Sequence, residues 1–182
     1  MGEKAKEWAI DFFRGVDRVR LERDHPKEIR GGYGRYLSYV FALKDGQWVN
    51  YNVECVRAGM SPYYTKYSYS RRFHDEFVAA EKEAREAQRG IWDPNSQSYR
   101  DYDERKAWWD ARAEFIKDFE RDAHGKEDHI VLSHWDSLAN LEKNMGQEVT
   151  VLGAISKVIR GDRGPSRIRL ARKKFNDLTV VF

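Results

Sequence analysis

Four tyrosines, Tyr63, Tyr64, Tyr67 and Tyr69, lie between Pro62 and Ser70, with Lys66 among them and Arg71 and Arg72 just beyond. Aromatic rings beside cationic side chains suit stacking on exposed bases, while the charges meet phosphate. A tyrosine cluster packed between a loop and a helix fits the same residues, and for any single tyrosine the two readings stand level. Arg167, Arg169, Arg172, Lys173 and Lys174 form a second basic run. Taken alone, each basic cluster reads first as a solvated face. His74 opens a predicted helix with no partner at metal-ligand spacing, which makes it a surface or capping residue. Cys55 is the single cysteine, so no intrachain disulfide can form. On an apolar helical face with Val49, Val53 and Val56, it reads as a small buried hydrophobe rather than a reactive thiol.

These groups need a framework, and the composition supplies one. Of 182 residues, 35% are charged and 14% aromatic, with six Trp, ten Tyr and nine Phe. A disordered chain is poor in aromatics, so that class is excluded. The length fits one medium domain or two small ones. The formal net charge is only +3, so a nucleic-acid site must come from local clustering. No apolar run is long enough to span a bilayer, and no membrane partner is expected. The chain opens polar and helical at Gly2-Glu3-Lys4, without a signal-peptide pattern.

Apolar periodicity predicts a helix over 3–14, with Ala5, Trp8, Ala9, Phe12 and Phe13 on one side. Alternation predicts a strand over 17–23, then a polar Gly-rich turn from His25 to Gly32 and a second β run from Tyr36 to Phe41. Asp45-Gly46 marks a turn, and a helix from Val49 to Ala58 is stopped by Gly59. A helix over 71–89 carries the seam Phe73, Phe77, Ala80, Ala84 and Ala87, and Gly90 ends it. Residues 94–98 read as a linker, and 99–123 as a helix with Trp109, Ala113, Ile116 and Phe119 at helical spacing. Its Trp108-Trp109 pair suits docking against a partner face. Ser133-His134-Trp135-Asp136 reads as a capping box before a short helix that Gly146 ends. β runs follow at 148–159, 165–172 and 178–182, with a hairpin turn from Gly161 to Pro165, like the opening of an oligonucleotide-binding (OB) barrel.

Read in order, several stretches carry a resemblance. They are the opening Gly-Glu-Lys-Ala helix, Tyr33-Gly34-Arg35-Tyr36-Leu37-Ser38-Tyr39-Val40, Asp45-Gly46-Gln47-Trp48-Val49-Asn50 and Val56-Arg57-Ala58-Gly59. The Tyr-rich loop and a long Ala/Glu/Arg helix ending Arg89-Gly90-Ile91-Trp92 complete the series. Together they resemble the later part of a staphylococcal-nuclease-like (thermonuclease) domain over residues 2–92. The resemblance implies an α+β fold: an incomplete OB-type β-barrel packed by helices, followed by C-terminal helices and OB-like strands. The expected domains are 2–93 (nuclease-like, lacking its first strands), 94–125 (linker and Trp-rich helix) and 126–182 (an OB-like segment). It implies phosphodiester hydrolysis in DNA or RNA, usually with Ca²⁺.

By that resemblance Arg35 is the catalytic arginine of the Tyr-Gly-Arg strand, its planar fork donating two hydrogen bonds to phosphate oxygens. Tyr33 matches a phosphate-contacting tyrosine, and Tyr67 is the best match in the loop that flanks the nucleotide. Tyr63 and Lys66 join them as expected substrate contacts, and Tyr64 or Tyr69 take the place of Tyr67 if the alignment slips.

The family's metal-binding acids belong to strands that would precede residue 2, so no metal ligand is assigned and Ca²⁺ is expected only for a complete family domain. One expectation is a fragment beginning inside the nuclease domain, prone to self-association or in need of a missing N-terminal segment. The other is a circularly completed barrel, in which Arg160-Gly161-Asp162, then Arg167-Ile168-Arg169-Leu170 and Asp177, follow the family's order of residues, but Lys173 and Lys174 replace its acid. The expected partner is single-stranded DNA or RNA. The functional readings are a metal-dependent phosphodiesterase, inactive in this chain alone, or a non-catalytic nucleic-acid or protein-binding OB module. An Asp-x-Pro-Glu-like stretch upstream would favour the enzyme.

Overall fold

The computed structural model describes residues 2–27, 29–31, 34–96, 101–173 and 176–182, with the side chains of 171–173, 176 and 177 outside the description. The fold mixes helix and sheet, and its chain divides into two compact units. One contains Arg35–Ala113 with the chain up to Gly31, and the other contains Glu114–Phe182.

In the first unit, α1 (Gly2–Phe13) precedes β1 (Val19–Glu22), β2 (Tyr39–Lys44) and β3 (Gln47–Asn50), an antiparallel sheet ordered β1-β2-β3. The aromatic face of α1 predicted from periodicity is used: Trp8, Phe12 and Phe13 all pack their rings on Tyr51, at 5.6, 5.2 and 4.9 Å. Asp45 and Gly46 both take positive φ, 49° and 79°. That is the two-residue hairpin turn whose twist matches its strands, and it sets the register Lys44↔Gln47 through Phe41↔Asn50.

The helix expected from Val49 starts later, as α2 (Tyr51–Arg57). The Asn50 side-chain oxygen accepts from the Asn52 and Val53 amides at 3.0 and 3.4 Å, capping the helix there. Gln47–Asn50 is thereby left to pair as β3. α3 (His74–Glu86) is shorter than the predicted 71–89. Ser70 Oγ accepts from the Phe73 amide at 3.0 Å and holds the preceding residues in a turn. At the other end Gln88 adopts φ of 50°, and a single 3₁₀ turn follows at Gly90–Trp92. Val53 and Val56 of α2 pack with Tyr63, Phe77 and Ala80, and Tyr39 and Phe73 close the cluster. α4 (Tyr102–Asp122) lends the first unit its N-terminal half, with Trp109 buried and Trp108 exposed.

In the second unit, β4 (His129–Val131) runs parallel to β5 (Thr150–Leu152), with α5 (Ser137–Lys143) between them in the chain. The sequence reading has no counterpart to β4, because three residues are too few for an alternation signal. Ile130, Val131 and Leu132 are buried there. The expected capping box does not form: Asp136 precedes α5 without a side-chain cap bond. β6 (Ala154–Ile159), β7 (Arg167–Lys173) and β8 (Asn176–Val181) form an antiparallel meander, with the Gly161 to Pro165 turn where the sequence places it. Among the described residues the three sheets remain separate and none closes into a barrel. No described helix is long and apolar enough to cross a membrane.

Candidate functional site

Arg35 stands on the returning arm of a tight hairpin. Arg30 and Tyr36 form an isolated antiparallel bridge. The Gly31 amide donates to the Arg35 carbonyl at 2.9 Å, and the Leu37 amide donates to the Ile29 carbonyl at 3.0 Å. Arg30 clamps the same hairpin, donating to the Tyr36 hydroxyl at 2.7 Å with its guanidinium 4.3 Å from the ring centre. The Arg35 residue is exposed. Tyr33 lies outside the described residues.

The tyrosine loop divides by depth. Tyr63, expected as a substrate contact, is buried: it is 5% exposed and stacks on Phe77 at 4.7 Å and 6°. Its hydroxyl accepts from the Ser70 amide at 2.6 Å and bonds His74 Nδ1 at 3.1 Å. No ring face is left for a base, and His74 is a helix-start residue tied to the core. Tyr67, in contrast, is 64% exposed. Lys66 Nζ lies 5.6 Å from the Tyr67 ring centre, and Tyr64 meets the other rings edge-on, Tyr67 at 6.0 Å and Trp109 at 4.8 Å. Among the described residues Arg35 makes no hydrogen bond or ring contact with Lys66 or Tyr67.

Residues far away in sequence fasten this loop, and the sequence reading missed all of them. Thr65 Oγ1 donates to Asp110 Oδ1 at 2.8 Å, and Arg112 donates to the Lys66 carbonyl at 3.2 Å. Lys106, only 4% exposed, binds Asp110 and, at 2.9 Å, Glu81. Glu81 in turn accepts from the Tyr63 amide at 3.3 Å. Burial pushes the Glu81 carboxyl up from its ordinary value, opposed by Lys106. The half of α4 that precedes Ala113 therefore serves the loop directly. The only sequence signal was Lys106 and Asp110 at helical i,i+4 spacing, which does not name Thr65 or Glu81 as partners.

Asp24 ties the end of β1 to the start of α3. Its carboxylate accepts from the Tyr39 hydroxyl at 2.8 Å, Ser70 Oγ at 3.2 Å, and the Arg71 and Arg72 amides at 3.1 and 3.4 Å. Burial pushes the Tyr39 hydroxyl well above its ordinary range; Ser70 opposes the shift and Asp24 adds to it. Glu22 is bound by both Arg72 and Arg20. These two acids are thus committed to arginines, amides and hydroxyls and offer no vacant donor set. Among the described residues no group of three or more His, Cys, Asp and Glu side chains could hold a metal ion. Cys55 is half-buried, and burial raises its thiol against a hydrogen bond from Tyr51 that lowers it. Burial is the larger effect, and a raised thiol fits a packed cysteine rather than a nucleophile.

The decisive comparison covers the hairpin, loop and helices together: residues 1–94 match the family model described as staphylococcal nuclease homologue. The chain belongs to the staphylococcal nuclease family. It is also 31% identical, over 92 residues, to an uncharacterized protein of Methanocaldococcus jannaschii, a match covering 50% of this chain and 42% of that protein. The chain thus spans less than half the length of the relative it matches.

Membership gives the glycines of this nuclease-like unit a physical reading. Gly59 has φ of 69°, and a Cβ there would lie 2.1 Å from the Arg89 carbonyl oxygen. A Cβ at Gly90 would lie 2.0 Å from the Gly59 oxygen, which accepts from the Ile91 amide at 2.8 Å. The Ala-Gly and Arg-Gly-Ile-Trp motifs are the two halves of one contact that joins the ends of α2 and α3. Family members generally use Ca²⁺, and the acids nearest the loop in this chain do not fit that role.

Proposed function

We propose that the first unit is the phosphate- and base-contacting side of a metal-dependent phosphodiesterase acting on single-stranded DNA or RNA, and that these 182 residues alone bind such a strand without cleaving it. The observation that carries the reading is Tyr67: an exposed ring with the Lys66 ammonium beside it, on a loop braced by Glu81, Lys106 and Asp110. An exposed aromatic next to a cation can stack on a base while the charge meets phosphate. Arg35, exposed on its hairpin, adds a planar fork suited to the two oxygens of one phosphate. In a complete domain of this kind the developing charge would be met by Ca²⁺ and arginine together.

The commitment of Asp24 and Glu22 also suits the second reading, a non-catalytic nucleic-acid-binding module. Both readings share the binding step. A salt titration of single-stranded oligonucleotide binding tests it, because phosphate contacts release counterions. An affinity that falls with salt, and falls further in Tyr67→Ala, supports the proposal; salt-independent affinity contradicts it.

A further inference from the structure

We propose that the cationic face of the β6–β7–β8 sheet, with the turn that adjoins it, is a second surface for the phosphodiester backbone of single-stranded nucleic acid, carried by Lys157, Arg167 and Arg169 on the strands and by Arg160 and Arg163 in the turn. It lies in the second unit and uses none of the residues assigned to the nuclease-like unit.

The register sorts this sheet into two faces. Ile155, Leu170 and Leu178 are aligned across the strands, as are Val158, Ile168 and Val180. Only the Leu170 end of that apolar face meets the buried Leu132, since a Cβ at Gly153 would lie 2.7 Å from Leu132 and 3.4 Å from the Leu170 Cβ, while Ile155 and Val158 on that face are exposed. The opposite face aligns Lys157 with Arg169 and Thr179, and Ile159 with Arg167 and Val181. Arg160 and Arg163 stand in the adjoining turn.

The charge on that face is unbalanced. Residues 154–170 hold five cationic side chains against one acid, Asp162, a surplus larger than the +3 of the whole chain. All five cations are exposed, and among the described residues none forms an ion pair. In the first unit, Arg20, Arg57, Arg72, Arg85 and Arg89 each hold a carboxylate. Lys157 sits directly across from Arg169, and like charges so opposed weaken a ladder unless an anion lies between them. Arg167 and Arg169 stand two residues apart on one strand, about 6.6 Å. Several cations thus share one stretch of sheet and turn, which suits the repeated charges of a polyanion better than a single small anion. Ile159 and Val181 are the apolar residues registered on this face, and among the described residues no amphipathic helix accompanies the cations, as binding in the plane of an anionic bilayer would require.

The test uses the full chain in EDTA, with anisotropy of a fluorescein-labelled oligothymidylate measured across a salt series. Lys157→Gln/Arg169→Gln is expected to lose at least about tenfold in affinity and to lower the log–log salt slope by about 1.4, two phosphate contacts at roughly 0.7 each. Its melting temperature should equal or exceed that of the wild type, since a like-charge pair is removed. Wild-type affinity and slope in this variant, with loss confined to Lys66→Gln/Tyr67→Ala, would overturn the proposal and leave the nuclease-domain reading standing. Loss confined to the sheet variant supports it and removes the other. Binding to phosphatidylserine vesicles without binding to oligothymidylate would also overturn it.

Discussion

Gly59 and Gly90 meet backbone to backbone: a Cβ on either would fall within about 2.1 Å of the carbonyl oxygen at the other's turn. No side chain can yield there, because the obstructing atoms are main chain. Gly59→Ala combines that clash with left-handed strain of roughly 1–2 kcal/mol. A loss above about 2 kcal/mol is expected, read from the urea midpoint. Gly90→Ala should cost a similar amount, and Gly146→Ala, with nothing within 4 Å, only the strain.

Tyr63 and Tyr67 should separate in opposite directions. Tyr63→Phe removes a hydroxyl bonded to the Ser70 amide and His74, so stability falls by about 1–3 kcal/mol while oligonucleotide affinity holds. Tyr67→Ala should leave the melting temperature unchanged and weaken binding by roughly 1–3 kcal/mol, the usual worth of a stacked base.

Lys106→Met strands a buried Glu81 carboxylate and should cost about 3–5 kcal/mol near neutral pH. The folded-state pKa of Glu81 is raised above its unfolded value, chiefly by burial. The associated stability is therefore present below the unfolded pKa and is lost as pH rises through the folded one. Removing the lysine widens that window, so the Lys106→Met penalty should shrink as pH falls from neutral toward acid. Urea melts at several pH values measure this.

Tyr39 shows the same sign at alkaline pH. Burial, opposed by Ser70, leaves its hydroxyl raised above the ordinary tyrosine value of about 10. Its stability contribution is complete below that value and is lost as pH climbs toward the folded pKa. Tyr39→Phe should be less stable than wild type at neutral pH yet lose less on going above pH 10, as followed by circular dichroism.

What could be read from the sequence was local. The aromatic face of α1, the Asp45-Gly46 turn and the apolar seam of α3 follow from periodicity and from residues tolerant of positive φ. Asn50 marks where local reading begins to fail, because only the pairing of Gln47–Asn50 with β2 shows that its cap starts the helix after a strand. Arg35, Lys66 and Tyr67 are named through family pattern alone, and of these Arg35 and Tyr67 are exposed. The supports of the candidate site were not legible, since Thr65–Asp110, Tyr63–Glu81 and Asp24–Arg71 are bonds across 45, 18 and 47 residues that no periodicity encodes. Tyr63 shows the same gap: beside Tyr64 and Lys66 its type suits a ligand, and only the tertiary structure shows its packing on Phe77.

The central claim is that this chain grips single-stranded nucleic acid through Arg35, Lys66 and Tyr67 without cutting it. The most direct measurement incubates an end-labelled single-stranded DNA with the purified chain, in Ca²⁺ and in EDTA, and follows retention and cleavage side by side for wild type and Arg35→Ala. The account predicts salt-sensitive binding that persists in EDTA and is weaker in Arg35→Ala, with the DNA intact throughout. Ca²⁺-dependent cleavage that disappears in EDTA and in Arg35→Ala would contradict it.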